Sequence, residues 1–217
     1  MGQNVTKPVT TVRNLRVLID AESSIRDHVS RLAQTCFFHL RRLRSVRRQL
    51  GQDVTERLVC ALVLSRLDYC NVVLAGLPAS TLAPLQRVLP VAARVVLDLK
   101  PRDHISSALQ ELHWLPIGER VVFKLCFVVH EASLGQSPDY ITVLLQPVAA
   151  TSSRCYSRQS RRLCRGTDEP ENADRAFSTA APRAWNQLPT ELKRSKSTVA
   201  FRRGLKTFLF NRTYCSE

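Results

Sequence analysis

Ile25 to Leu50 reads IRDHVSRLAQTCFFHLRRLRSVRRQL. Val29, Leu32, Cys36, Leu40, Leu43 and Leu50 recur every three or four residues, the period of a long amphipathic helix, with Gly51 as its stop. Working outward, Asp53 with Glu56 has the spacing of a capping box, and the run Val54 to Asn71 is apolar on most faces, so a buried helix is expected there. Gly76-Leu77-Pro78 breaks the chain. Ser80 opens a third helix through Val96, in which Pro90 removes a backbone donor and predicts a kink or an early end. Asp103 to Leu112 reads as a short helix, His113-Trp114-Leu115-Pro116 as a turn, and Gly118 to Leu134 as an apolar helix stopped by Gly135. A further short helix is expected over Asp139 to Leu145.

Upstream, the β-branched run Thr11 to Asp20 reads as a strand with no evident partner. Downstream, residues 149–174 are rich in Ser, Arg and acids without a hydrophobic period and read as a linker. Residues 175–217 then form a small terminal module, whose last helix would carry an apolar stripe of Val199, Leu205, Phe208 and Leu209. The expected architecture is mainly α: a helical bundle with one orphan N-terminal strand and a loosely attached C-terminal segment. Its segments are 1–24, 25–148, 149–174 and 175–217.

The chain has 217 residues, enough for one ordinary domain with a weaker appendage, and 44% hydrophobic residues to supply a core. Thirty-two Lys and Arg stand against 18 Asp and Glu, a formal net charge of +14. That balance favours a polyanionic partner, nucleic acid or an anionic membrane surface. Twenty-six of the basic residues are arginine, which favours bidentate contacts to phosphate. The seven cysteines are an odd set without a Cys-x-x-Cys pair, so neither a disulfide framework nor a tetrahedral zinc site is suggested. With no secretory signal and no charge-free stretch of spanning length, a cytoplasmic or nuclear protein is expected, neither secreted nor transmembrane.

No catalytic constellation emerges. None of the seven glycines forms Gly-x-Gly, no Gly-Lys-Ser/Thr occurs, and the nine aspartates include no Asp-Asp or Asp-x-Asp. His28, His39, His104, His113 and His130 lack ligand spacing. No catalytic residue, metal ligand or cofactor is therefore expected. Trp114, beside Leu115, and Trp185, three residues before Leu188, are each close to a Pro and read as core anchors rather than stacking platforms.

The strongest positive feature is the basic run on the long helix. On a helical wheel Arg41, Arg44 and Arg48 lie together beside the apolar stripe, Arg42 and Arg31 continue around the polar side, and Arg26 extends the track. Arg47 falls near the stripe itself. No acids are interleaved over residues 41 to 48, so Arg26, Arg31, Arg41, Arg42, Arg44 and Arg48 are the candidate contacts to RNA or an RNA-DNA hybrid through phosphates. Two other readings stay open. The first residues, Met1-Gly2-Gln3-Asn4-Val5-Thr6, match the N-myristoylation pattern, so Gly2 acylation with a basic surface would attach the chain to a membrane. Alternatively the apolar helices would serve a protein partner.

Ser65-Arg66-Leu67-Asp68-Tyr69-Cys70-Asn71, Gly76-Leu77-Pro78, Leu85-Gln86-Arg87, Ala92-Ala93-Arg94, Leu112-His113-Trp114-Leu115-Pro116, Ala181-Pro182-Arg183-Ala184-Trp185-Asn186-Gln187-Leu188-Pro189 and Leu205-Lys206-Thr207-Phe208-Leu209-Phe210 follow one another along the chain. In this order they resemble the region after the polymerase palm of LINE-type, non-LTR retrotransposon reverse transcriptases of the jockey-like kind. The resemblance implies that Val12 to Asp20 corresponds to a closing palm strand, and the helices to a thumb and C-terminal extension that hold template and primer. It implies RNA-directed DNA polymerase ancestry without activity, because the family's catalytic aspartates have no counterpart here. The family reads Asn-Leu-Gly-Val where this chain has Asn14-Leu15-Arg16-Val17. What the resemblance implies is a non-catalytic, sequence-tolerant nucleic-acid-binding fragment or an inert remnant.

Overall fold

The computed structural model describes residues 11–20, 24–100, 102–145 and 176–215. It is mainly α-helical, with one two-stranded antiparallel sheet near the N-terminus. Two compact units emerge: the described residues of Met1–Cys70 with Ala79–Pro101, and of Asn71–Pro78 with Arg102–Glu217.

The first unit opens with β1 (Thr11–Asn14) and β2 (Val17–Asp20), paired in register from Thr11 opposite Asp20 to Asn14 opposite Val17. The orphan strand is thus a hairpin. Its two turn residues, Leu15 and Arg16, have φ of 44° and 65°, the left-handed region of a tight hairpin turn. Neither is Gly or Asn, which explains why the turn was hidden in an apparently continuous strand. Asp20 then accepts from the Ser24 backbone N–H at 2.6 Å and from its hydroxyl, and α1 (Arg26–Val46) follows.

Helix α1 buries His28, Val29, Ala33, Cys36, Leu40 and Leu43, close to the expected stripe. It yields to a tighter 3₁₀ turn, Arg47–Gln49, short of Gly51. Gly51 instead precedes α2 (Gln52–Val59), which continues through a π-helical turn at Cys60–Leu64 into α3 (Ser65–Asp68). Because α2 starts at Gln52, Asp53 lies inside its first turn and no capping box forms. The third expected helix is two, α4 (Ala79–Gln86) and α5 (Val88–Leu97). Pro90 lies in the first turn of α5, where its missing N–H costs little, so the chain breaks at Arg87. Helices α4 and α5 pack on α1, and Leu40, Val59, Leu85, Val88, Leu89 and Val96 are all at most 1% exposed. Each such side chain contributes roughly 1.5–3 kcal/mol relative to exposure.

The second unit is organised by α7 (Ile117–Ser133), preceded by α6 (Ile105–Glu111) and followed by α8 (Asp139–Val143). Both long stops are Schellman motifs. After α6, Trp114 N–H donates to Leu109 O (3.0 Å) and His113 N–H to Gln110 O (3.0 Å), with His113 at φ 52°. After α7, Gln136 N–H donates to Glu131 O (2.9 Å) and Gly135 N–H to Ala132 O (3.1 Å), with Gly135 at φ 70°, as its place in the sequence predicted.

The C-terminal segment is not loosely attached within this unit. Helix α9 (Phe177–Asn186) lays Ala180, Ala181, Ala184 and Trp185 against α7, the alanines allowing close approach. After the short α10 (Thr190–Lys193), α11 (Thr198–Tyr214) returns to α7 through Phe201, Leu205 and Leu209. Those three residues, spaced by four, are the real stripe, whereas Val199 is 62% exposed. His130 of α7 stacks on Phe201 at 3.9 Å between ring centres, and Trp185 closes the cluster at 5.8 Å from Phe201. Trp114 and Trp185 are buried core anchors, as expected. Tyr214 donates to Trp114 O at 2.8 Å, and Arg212 pairs with Glu119. A Cβ at Gly204 would stand 2.7 Å from Leu192 Cδ1, so a larger residue there would displace the end of that side chain. The expected linker at 149–174 lies outside the described residues, as does most of the expected tail. Among the described residues no helix is long and apolar enough to cross a membrane.

Candidate nucleic-acid interface

The core of α1 fixes the places of its arginines. Because Val29, Ala33, Cys36, Leu40 and Leu43 face inward, Arg26, Arg31, Arg41, Arg42, Arg44 and Arg48 all fall on exposed surface. Among the described residues no carboxylate pairs with any of these six guanidiniums. They do not form one ridge. Arg26, Arg41 and Arg44 follow the helical period along one margin of the exposed arc, while Arg31 and Arg42 follow the other. Arg48 lies past the end of the α-helix, in the 3₁₀ turn, so its direction departs from the wheel. Arg42 stands 5.6 Å from the centre of the exposed Phe38 ring, a cation–π contact. Gly2 lies outside the described residues.

Arg47 has a different task. Its Nε donates to Val95 O at 3.0 Å, Nη2 to Val96 O at 2.9 Å and Nη1 to Leu50 O at 2.9 Å. The end of α5 leaves carbonyls without helical donors. Leu99 N–H takes Arg94 O at 3.1 Å, and Arg47 takes the next two. Its place near the apolar stripe is thus that of a helix cap, not of a phosphate ligand.

On the Arg31 margin lies a feature that sequence reasoning missed. A cavity of about 550 Å³, open to solvent, is lined by Arg13 and Arg16 of the hairpin, Arg31 and His28 of α1, and Arg66 and Tyr69 at the α3 end, and among the described residues no carboxylate lines it. His28 Nδ1 accepts from Leu18 N–H at 3.4 Å, so its other nitrogen carries the proton, and burial lowers its pKa. Arg66 Nε donates to Leu62 O at 3.0 Å along its own helix, and Tyr69 donates to Leu15 O at 3.0 Å, tying the hairpin turn to α3. His39 also lies within the fields of Arg66 and Arg42: after partial burial, these two cations lower its pKa. Arg42 therefore belongs to the same basic margin as the cavity.

The only local hint in the sequence was three arginines outside the long helix, at 13, 16 and 66. Their convergence depends on the hairpin and the α3 end, which no local pattern encodes. Of the remaining sequence candidates, His130 Nε2 donates to Ser195 O at 2.9 Å inside the second unit, an architectural role. Among the described residues no group of His, Cys, Asp and Glu is arranged to hold a metal ion. Cys36 and Cys126 are buried thiols whose pKa values desolvation pushes up to about 11 and about 12, which suppresses nucleophilic chemistry. No family model, curated protein or solved structure matches this chain.

Proposed function

We propose that this chain is a non-catalytic, sequence-tolerant nucleic-acid-binding module that grips RNA or an RNA-DNA hybrid by its phosphates. One observation carries the reading: six arginines lie exposed along α1 and its 3₁₀ extension, with no carboxylate partner among the described residues. Unneutralised guanidiniums arranged along one element suit a phosphate track, whereas a merely solvated helix face usually mixes both signs. Aromatic residues amount to 6% of the chain, and the track offers only the exposed Phe38, so base readout is not its basis. The resemblance to the post-palm region of LINE-type reverse transcriptases supports the same ligand class. Under this reading the chain descends from an RNA-directed DNA polymerase but carries no polymerase chemistry of its own.

The test is binding of the purified chain to a labelled RNA-DNA hybrid, beside the Arg41→Glu/Arg42→Glu/Arg44→Glu/Arg48→Glu variant. Strong binding by the wild type and loss of most affinity in the variant are expected, with the two proteins equal in helical signal. Weak and equal binding by both would remove the reading.

A further inference from the structure

The cavity beside α1 is built differently from the track. Arg13 and Arg16 come from the hairpin, Arg31 from α1 and Arg66 from α3, so four exposed cations from three elements converge on one open cleft. Like charges gathered around one cleft repel one another, and among the described residues nothing in the lining neutralises them. One further polar group in the lining suits an anion as well. His28 keeps a proton on the nitrogen not held by Leu18, and Tyr69, whose one hydroxyl proton is spent on Leu15 O, holds the hairpin turn in place beside it. A second observation points to the same place. Arg16 reaches the cavity from a two-residue turn in which it and Leu15 both hold positive φ, a conformation costly for residues with a Cβ. A glycine at position 16 would relieve that strain but would bring no cation.

We infer that this cavity is a binding site for a triphosphate group. About 550 Å³ lies within the range of small-ligand sites, and four guanidinium forks match the several oxygens and the multiple negative charge of linked phosphates. A single phosphate on a continuous backbone would satisfy only part of this set. The triphosphate has two possible sources, a free nucleotide or the 5′ end of an RNA chain, and the group recognised is the same in both. The site shares Arg31 with the phosphate track but is otherwise built from other residues: Arg13, Arg16 and Arg66 are not on α1, and Arg26, Arg41 and Arg44 lie along its opposite margin.

The experiment uses the full chain and inorganic tripolyphosphate as probe, titrated by calorimetry at fixed salt. Arg16→Gly is the central variant, because it removes a cation from the cavity while easing the turn, so lost binding cannot be ascribed to lost folding. The expected result is saturable binding by the wild type, about tenfold weaker binding by Arg16→Gly with a melting temperature equal or higher, and no change in Arg44→Glu. Two further ligands then separate the sources. A nucleoside triphosphate that competes, while RNA with and without a 5′-triphosphate binds equally, supports the site with the free form as ligand. Tighter binding of the 5′-triphosphorylated RNA, lost in Arg16→Gly, supports it with the chain end as ligand. No tripolyphosphate binding, or equal weakening by Arg16→Gly and Arg44→Glu, would overturn the proposal. Either of those results would leave hybrid binding by α1 intact, so the two readings fail separately.

Discussion

Replacing Arg47 by methionine removes three hydrogen bonds from a charged donor without emptying the volume of its stem. The acceptors are Leu50 O and two carbonyls in the last turn of α5, Val95 O and Val96 O. A hydrogen bond to a charged group is worth about 1.5–3 kcal/mol, but the three share one side chain and water reaches part of the vacated place. A loss of about 3 kcal/mol follows for the first unit. For a chain of this length that corresponds to a fall of about 6–12 °C in melting temperature. Arg48, next in sequence but exposed, gives the control: Arg48→Met should change stability by no more than about 0.5 kcal/mol. Arg47→Lys keeps the charge but not the fork, and should recover less than half of the loss. The assay is thermal and urea unfolding followed by circular dichroism. Equal stability of the Arg47→Met and Arg48→Met proteins would refute the assignment of Arg47 as the cap of α5.

Three further outcomes are expected. Phe201→Ala, which empties the ring stacked on His130 and beside Trp185, should cost about 3–5 kcal/mol in urea unfolding; a change below 1 kcal/mol would show that α11 is not part of the core. His28, whose pKa burial holds below 6.5, binds protons more readily in the unfolded chain, so its contribution is present above about pH 6.5 and lost as pH falls through that value toward the folded pKa. Unfolding free energies between pH 7 and pH 5 should therefore fall more steeply in the wild type than in His28→Asn, and parallel profiles would contradict this. In native alkylation at pH 8 read by mass spectrometry, Cys215 should react while Cys36 and Cys126 stay unmodified until denaturant is added; early labelling of either buried thiol would contradict the packing around it.

Helix α1 was legible because its apolar period runs unbroken from Val29 to Leu43 and outweighs every local exception. Gly135 was legible because a left-handed stop favours glycine, whereas His113 holds the same conformation with only its position before Trp114-Leu115-Pro116 as a signal. The hairpin was not legible: Leu15 and Arg16 make a turn that residues of their type rarely form, and the Tyr69 bond that supports it comes from 54 residues away. The stripe of α11 was partly misplaced, because Val199 falls in the first turn and points outward while Phe201 takes the core position. The candidate interface divides in the same way. Exposure of the five track arginines on α1 follows from helical period alone, whereas that of Arg48 belongs to the 3₁₀ turn. The cap made by Arg47 depends on α5, 48 residues further on, and the cavity depends on three elements meeting, so neither leaves a local trace.

That α1 is a phosphate track is tested by the salt dependence of binding to an RNA-DNA hybrid. Log affinity should fall steeply with log salt, and the slope should flatten by about 0.7–0.9 for each of Arg41, Arg42 and Arg44 replaced by glutamine, but not for Arg47→Lys. A slope that ignores all three replacements would contradict the claim.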